Sequence, residues 1–188
     1  SLQQAVDRRA QRRVASVRDA ELGADALGFI FYSKSPRYLA PSAAGEIIAQ
    51  LPPFVTTVAV MVNESLEDAR EILAESGCRM AQLHGEESPE YLHDLGFPAI
   101  KALSISTADD LAILEQYSHV RAFLLDTKVP GQRGGTGMTF DWTLAREARR
   151  FNRPIILAGG LSPENVGQAL ETAEPFGIDI SSGIEIAP

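Results

Sequence analysis

Residues 156–185 read ILAGGLSPENVGQALETAEPFGIDISSGIE. The stretch opens on an apolar strand, breaks at Gly159-Gly160, and continues as a helix with Val166, Ala169, Leu170 and Ala173 at helical spacing. A second short strand, Ile178-Asp179-Ile180, then ends in Ser181-Ser182-Gly183. One strand, one helix and one more strand within about 30 residues is the βαβ unit of a parallel sheet.

Working outward, the same unit recurs along the chain. Short apolar runs lie at 26–31, 55–62, 80–83, 99–103, 122–125, 154–158 and 178–180. Segments with helical periodicity separate them, at 41–50, 66–76, 107–117 and 140–150 among others. Ser65 followed by Asp68, with Gly77 beyond the apolar face, marks the start and stop of one helix. Ser88-Pro89-Glu90 and Ser162-Pro163-Glu164 repeat one start device: a capping serine, proline at the first helical position, then an acid favoured by the helix dipole. Such alternation forms either a doubly wound open sheet or a closed (β/α)8 TIM barrel. His84, Asp126, Gly159-Gly160 and Ser181-Ser182-Gly183 all follow strands at their C-terminal ends. Residues spread over so many strand ends meet in one place only if the sheet closes on itself, so the α/β barrel is the expected fold.

With 188 residues the chain is long enough for one domain with a sizeable core. A formal net charge of −8 argues against nucleic acid and anionic membrane as partners. The one cysteine, Cys78, excludes an internal disulfide framework and fits a reducing compartment. No apolar run approaches the roughly 18 residues of a spanning helix, and no signal-peptide pattern opens the chain. These features lead to the expectation of a cytoplasmic enzyme domain acting on a small molecule.

The paired glycine turns after the last two strands suit a phosphate, because backbone N–H groups and a helix N-terminus can approach the anion closely. Either turn alone is equally readable as a connector. Asp126 ends the apolar run Ala122-Phe123-Leu124-Leu125, where partial desolvation raises a carboxyl pKa toward that of a general acid. The alternative is an aspartate that caps a loop or pairs with Lys128 or Arg133. The glycine-rich loop from Gly131 to Gly137 reads as a lid or as a connector. Arg37, in Ser35-Pro36-Arg37-Tyr38, either clamps an anion bidentately or lies solvated. His84 either touches substrate or is a hydrogen-bonded strand-end histidine, and Asp179 either meets a substrate amine or pairs with a neighbour. Cys78 precedes its strand and belongs to the opposite, stabilising face of a barrel.

Together, ADALGFIFYSKSPRYL, LPPFVTTVAVMVN, QLHGEESPEY, FLLDTKVPGQRGGTGMTFDW, ILAGGLSPENV and GIDISSGIE closely resemble the phosphoribosylanthranilate isomerases of tryptophan biosynthesis, over Asp19 to Pro188. The resemblance implies a (β/α)8 barrel and an Amadori rearrangement with no cofactor, metal or organic. The substrate would be N-(5-phosphoribosyl)anthranilate and the product 1-(2-carboxyphenylamino)-1-deoxyribulose 5-phosphate. It further implies that Asp126 is the general acid, that Arg37 contacts the phosphosugar substrate, and that His84 and Asp179 line the same pocket. Gly159, Gly160, Ser181, Ser182 and Gly183 would hold the phosphate.

The sequence departs from the family pattern at its start. The family's first strand ends in K-I-C-G-[IL]-T, whose cysteine is the general base, and residues 1–18 (SLQQAVDRRAQRRVASVR) contain no counterpart. That segment is too charged for a buried strand and reads as an atypical N-terminal piece ahead of a 19–188 barrel domain. A shifted reading frame is one hypothesis for it; upstream coding DNA with no cysteine-glycine motif in any frame would refute that. Met138 stands where the family has lysine, and the chain ends at Pro188 without a last helix. The expectations are therefore a barrel with its first strand and last helix degenerate or missing, and impaired turnover. A non-catalytic phosphosugar-binding barrel is the alternative. A Schiff-base aldolase is disfavoured because its only candidate lysine, Lys101, is mid-strand.

Overall fold

The computed structural model describes residues 18–126 and 141–183. The expectations for residues 1–17, for the Gly131–Gly137 loop and Met138, and for the chain end beyond Gly183 lie outside the described residues. The chain divides into two compact units, Ser1–Glu87 with Asp94–Pro98, and Ser88–His93 with Ala99–Pro188.

In the first unit three strands, β1 (Ala26–Ile30), β2 (Thr56–Met61) and β3 (Met80–Leu83), pair in sequence order. All pairings are parallel, from Ala26↔Thr56 to Ile30↔Val60 and from Val58↔Met80 to Met61↔Leu83. Two helices follow β1 and β2: α1 (Pro41–Ile48) and α2 (Leu66–Ser76). Ser65 caps α2 as its sequence requires: its Oγ accepts the Asp68 N–H at 3.0 Å and donates to the Asp68 carboxylate at 2.7 Å. Gly77 ends α2 in the left-handed conformation (φ 71°), donating to the Leu73 carbonyl. Ala69 and Leu73 are buried on one face of α2; burying a leucine of this kind stabilises by about 1.5–3 kcal/mol.

In the second unit β4 (Ala99–Ser104), β5 (Ala122–Asp126), β6 (Ile155–Ala158) and β7 (Gly177–Ile178) also pair in parallel and in sequence order. Four consecutive residues of β5, Ala122 to Leu125, are buried, so both faces of that strand are covered. This is how a strand of a parallel α/β sheet behaves. β7 is shorter than the run 178–180, but the ladder continues one residue further, with the Asp179 N–H donating to the Leu157 carbonyl at 2.9 Å.

α3 (Pro89–Leu95) starts as expected, with Ser88 Oγ accepting the Tyr91 N–H at 3.2 Å. Two helical expectations change. The segment 107–117 is a 3₁₀ helix, Asp109–Gln116, in which Leu111 and Leu114 are buried. Their spacing of three matches the 3₁₀ period rather than the α period. Between β5 and β6, α4 (Thr143–Ala148) passes into a 3₁₀ turn, Arg149–Phe151, which Asn152 ends at φ 54°.

α5 (Val166–Ala173) also starts differently from α3. The Ser162 carbonyl accepts the Val166 N–H at 3.0 Å, yet the Ser162 hydroxyl bonds the Glu164 carboxylate and, among the described residues, caps no backbone group. Asn165 closes the turn instead, because its amide reaches both sides of the turn at once.

Candidate active site

In the second unit the candidate residues gather at the C-terminal ends of neighbouring strands. Asp126, half-buried, is the last residue of β5 and stands in register with Ala158, the last residue of β6. Gly159 and Gly160 follow immediately with φ of 84° and 64°. An L side chain rarely adopts that conformation, so this turn requires glycine. The Asn165 carboxamide braces it: Oδ1 accepts the Ser162 N–H and Nδ2 donates to the Gly160 carbonyl, both at 2.9 Å.

The turn after β7 is packed against this one. A Cβ at Gly183 would collide with the Leu161 carbonyl oxygen and lie 3.2 Å from the Ser162 Cα. The two turns expected to bind phosphate therefore meet backbone to backbone, and Gly183 is glycine because no side chain fits. Asp179, Ser181 and Ser182 are exposed beside them.

In the first unit Arg37 lies in the turn after β1. Ser35 Oγ accepts the Arg37 N–H at 3.1 Å and the Ser35 carbonyl accepts that of Tyr38. Tyr38 then bridges to Ile30, which returns this turn to the C-terminal end of β1. His84 follows β3; its N–H donates to the Met61 carbonyl at 2.9 Å, and its Nδ1 lies 3.3 Å from Gln82 Nε2.

A carboxylate that sequence reasoning missed sits next to His84. Glu87 is 5 % exposed and accepts the Asn63 N–H at 2.8 Å and the Gly85 N–H at 3.0 Å. Asn63 Oδ1 in turn accepts the Glu86 N–H at 2.6 Å. Asn63 itself is left-handed (φ 56°), a conformation asparagine tolerates better than most residues. Burial, and then the charges of Asp68 and Glu87, push the adjacent Glu64 carboxyl above its ordinary range.

Residues 5–187 match the family model of N-(5'-phosphoribosyl)anthranilate isomerase. The isomerase of Moorella thermoacetica is 48 % identical over 181 residues, covering 93 % of this chain and 81 % of the relative. The crystal structure of the Thermotoga maritima enzyme superposes with a TM-score of 0.83 at 42 % identity, over 92 % of this chain and 86 % of that one. A phosphoribosylanthranilate isomerase in complex with reduced 1-(o-carboxyphenylamino)-1-deoxyribulose 5-phosphate superposes with a TM-score of 0.80 at 39 % identity, over 92 % and 85 %. The chain belongs to this family.

Phosphoribosylanthranilate isomerases are enzymes with the (β/α)8-barrel type of fold, which is the fold class of this chain. In each unit the residues expected from the resemblance lie at or just beyond C-terminal strand ends, where barrel enzymes place their chemistry. Asn63, Glu87 and Asn165 were not legible as site supports. The one local signal was Asn165 within a proline-containing turn; Glu87 and Asn63 are 24 residues apart, and no periodicity links them.

Cys78, by contrast, lies where its sequence position indicated. It precedes β3, is 4 % exposed, and burial pushes its thiol pKa up. A buried thiol of that kind is a poor base. Lys101 is 1 % exposed in the middle of β4, with Nζ 5.9 Å from the centre of the Tyr117 ring. Among the described residues no three His, Cys, Asp or Glu side chains are grouped to hold a metal, and no helix is long and apolar enough to cross a membrane.

Proposed function

We propose that the chain binds N-(5-phosphoribosyl)anthranilate and converts it to 1-(2-carboxyphenylamino)-1-deoxyribulose 5-phosphate. The observation that carries the residue assignment is Asp126 in register with Ala158 at the threshold of the Gly159-Gly160 turn. That register sets a carboxyl group on the strand beside a backbone cradle suited to an anion.

In this reading the phosphate rests against Gly159, Gly160, Ser181, Ser182 and Gly183. Asp126 donates a proton to the ribose ring oxygen. The C1–O bond breaks as the anthranilate nitrogen lone pair forms a C1=N iminium. A base removes the C2 proton, and the resulting enol tautomerises to the ketone. Arg37 supplies a guanidinium for the substrate's carboxylate or phosphate, and His84 and Asp179 are further polar contacts.

The 188-residue polypeptide contains one cysteine, and that thiol is buried ahead of β3. We further propose that this polypeptide binds the phosphosugar but turns it over slowly, by a factor on the order of 10²–10⁴ for a missing base. The test pairs calorimetric titration of the reduced product analogue with a turnover assay. The expected result is binding of the analogue and weak turnover, with Asp126→Asn lowering turnover further by about 10²–10⁴ while analogue affinity stays nearly constant. Turnover at the level of the related isomerases would overturn the second proposal. Turnover unaffected by Asp126→Asn would overturn the role of Asp126.

A further inference from the structure

We infer that Glu87 is a positioning residue: its buried carboxylate locks the loops after β2 and β3 together and thereby fixes the direction in which His84 leaves the backbone. The inference rests on the proposed function in one respect, that His84 contacts the substrate.

The two peptide groups flanking the His84 Cα are both tied. The N–H before it donates to the Met61 carbonyl at 2.9 Å. The N–H after it, on Gly85, donates to both oxygens of Glu87, at 3.0 Å and 3.2 Å. With both flanking planes held, the Cα–Cβ direction of His84 has little freedom. Glu87 Oε1 also accepts the Asn63 N–H at 2.8 Å, so the same carboxylate grips the loop after β2. Asn63 returns the grip through Oδ1 and the Glu86 N–H.

The lock is close-packed. A Cβ at Gly85 would collide with the Asn63 carboxamide and approach Glu87 Oε1 to 2.8 Å. Glutamine at 87 retains one acceptor oxygen but presents an NH₂ where the second carboxylate oxygen meets a backbone N–H. Two donors would then face each other in a buried place, and the loop must shift. A carboxylate is therefore the side chain this geometry requires.

The test is a double-mutant cycle on affinity for the reduced product analogue, using Glu87→Gln, His84→Ala and the pair, with circular dichroism and melting temperature alongside. Glu87→Gln is expected to weaken binding about tenfold by misdirecting the imidazole. In the His84→Ala background the same change should cost less than about twofold, because nothing is left to misdirect. Equal losses in both backgrounds, or a lower melting temperature with unchanged affinity, would reduce Glu87 to a structural part and overturn the inference.

If Glu87→Gln fails to fold, Glu87→Asp serves instead. It keeps a carboxylate but draws both oxygens back by one methylene from the Asn63 and Gly85 N–H groups. A His84-dependent loss of affinity is expected again, and its absence overturns the inference. A parent chain that does not bind the analogue defeats the proposed function itself, and this inference with it. Analogue bound by the parent but insensitive to His84→Ala overturns the inference alone.

Discussion

Two pairs of strand-end loops are braced by opposite means. After β2 and β3 the brace is a buried charge: Glu87 collects the backbone donors of Asn63 and Gly85. After β6 and β7 the two turns meet through the lack of side chains, with Gly183 against the Leu161 carbonyl and Gly159 and Gly160 in the left-handed region, while the Asn165 carboxamide holds only the first turn to itself. The first arrangement orients a side chain. The second keeps side chains away from the backbone of the turns, the condition for the anion site proposed there. A carboxylate such as Glu87 placed in the second pair of loops would repel the phosphate proposed to bind there, so the two braces are not interchangeable.

The comparison predicts a ranking of glycine substitutions. Gly183→Ala is expected to be the most damaging, at about 3 kcal/mol, because the added Cβ meets backbone that cannot rotate away. Gly85→Ala meets the side chains of Asn63 and Glu87, which can partly yield, and should cost about 1–2 kcal/mol. Urea denaturation of both variants checks the order; a Gly85 variant weaker than the Gly183 variant would break the distinction between rigid and yielding neighbours.

Asn63→Ala should cost about 2 kcal/mol, roughly half from the lost bond to Glu86 and half from a left-handed alanine. Asn63→Gly should recover the conformational half, which the same denaturation series reads directly. Asn165→Ala removes a donor and an acceptor from the Gly160–Ser162 turn and should cost about 1 kcal/mol. Its larger effect should fall on phosphate affinity, measured by titration with inorganic phosphate, since the turn would lose its shape before the fold lost its stability.

The smallest expected effect lies on the surface of the second unit. Glu174 hydrogen-bonds Arg149 at 2.7 Å and lies 3.4 Å from Arg146, and these partners lower its carboxyl pKa. The stability this contributes is present above the unfolded-state pKa and is lost as pH falls through the lower, folded-state value. Glu174→Gln should therefore slightly flatten the acid limb of melting temperature against pH and leave the neutral limb nearly parallel to the parent.

Local chemistry made much of this molecule readable in advance. Apolar runs located all seven described strands. Ser65, Gly77 and Ser88 marked helix ends, because a cap bonds groups only a few residues away. Asp126 was legible as a charge ending a buried run, and Gly159 and Gly160 as a turn only glycine makes easily. The 3₁₀ character of 109–116 was not, since α and 3₁₀ helices share most of their sequence preferences.

What the residue order determined by itself was therefore the alternation of strands and helices and the placing of candidate groups at strand ends. Tertiary structure alone decided which loops hold one another. The Glu87 carboxylate meets the Asn63 N–H across 24 positions, and Gly183 meets Leu161 across a whole helix. Such contacts depend on the register of parallel strands, which buried packing sets over the full length of each βαβ unit. No short window of sequence contains both partners, so periodicity and capping rules, which act over a few residues, have no access to them.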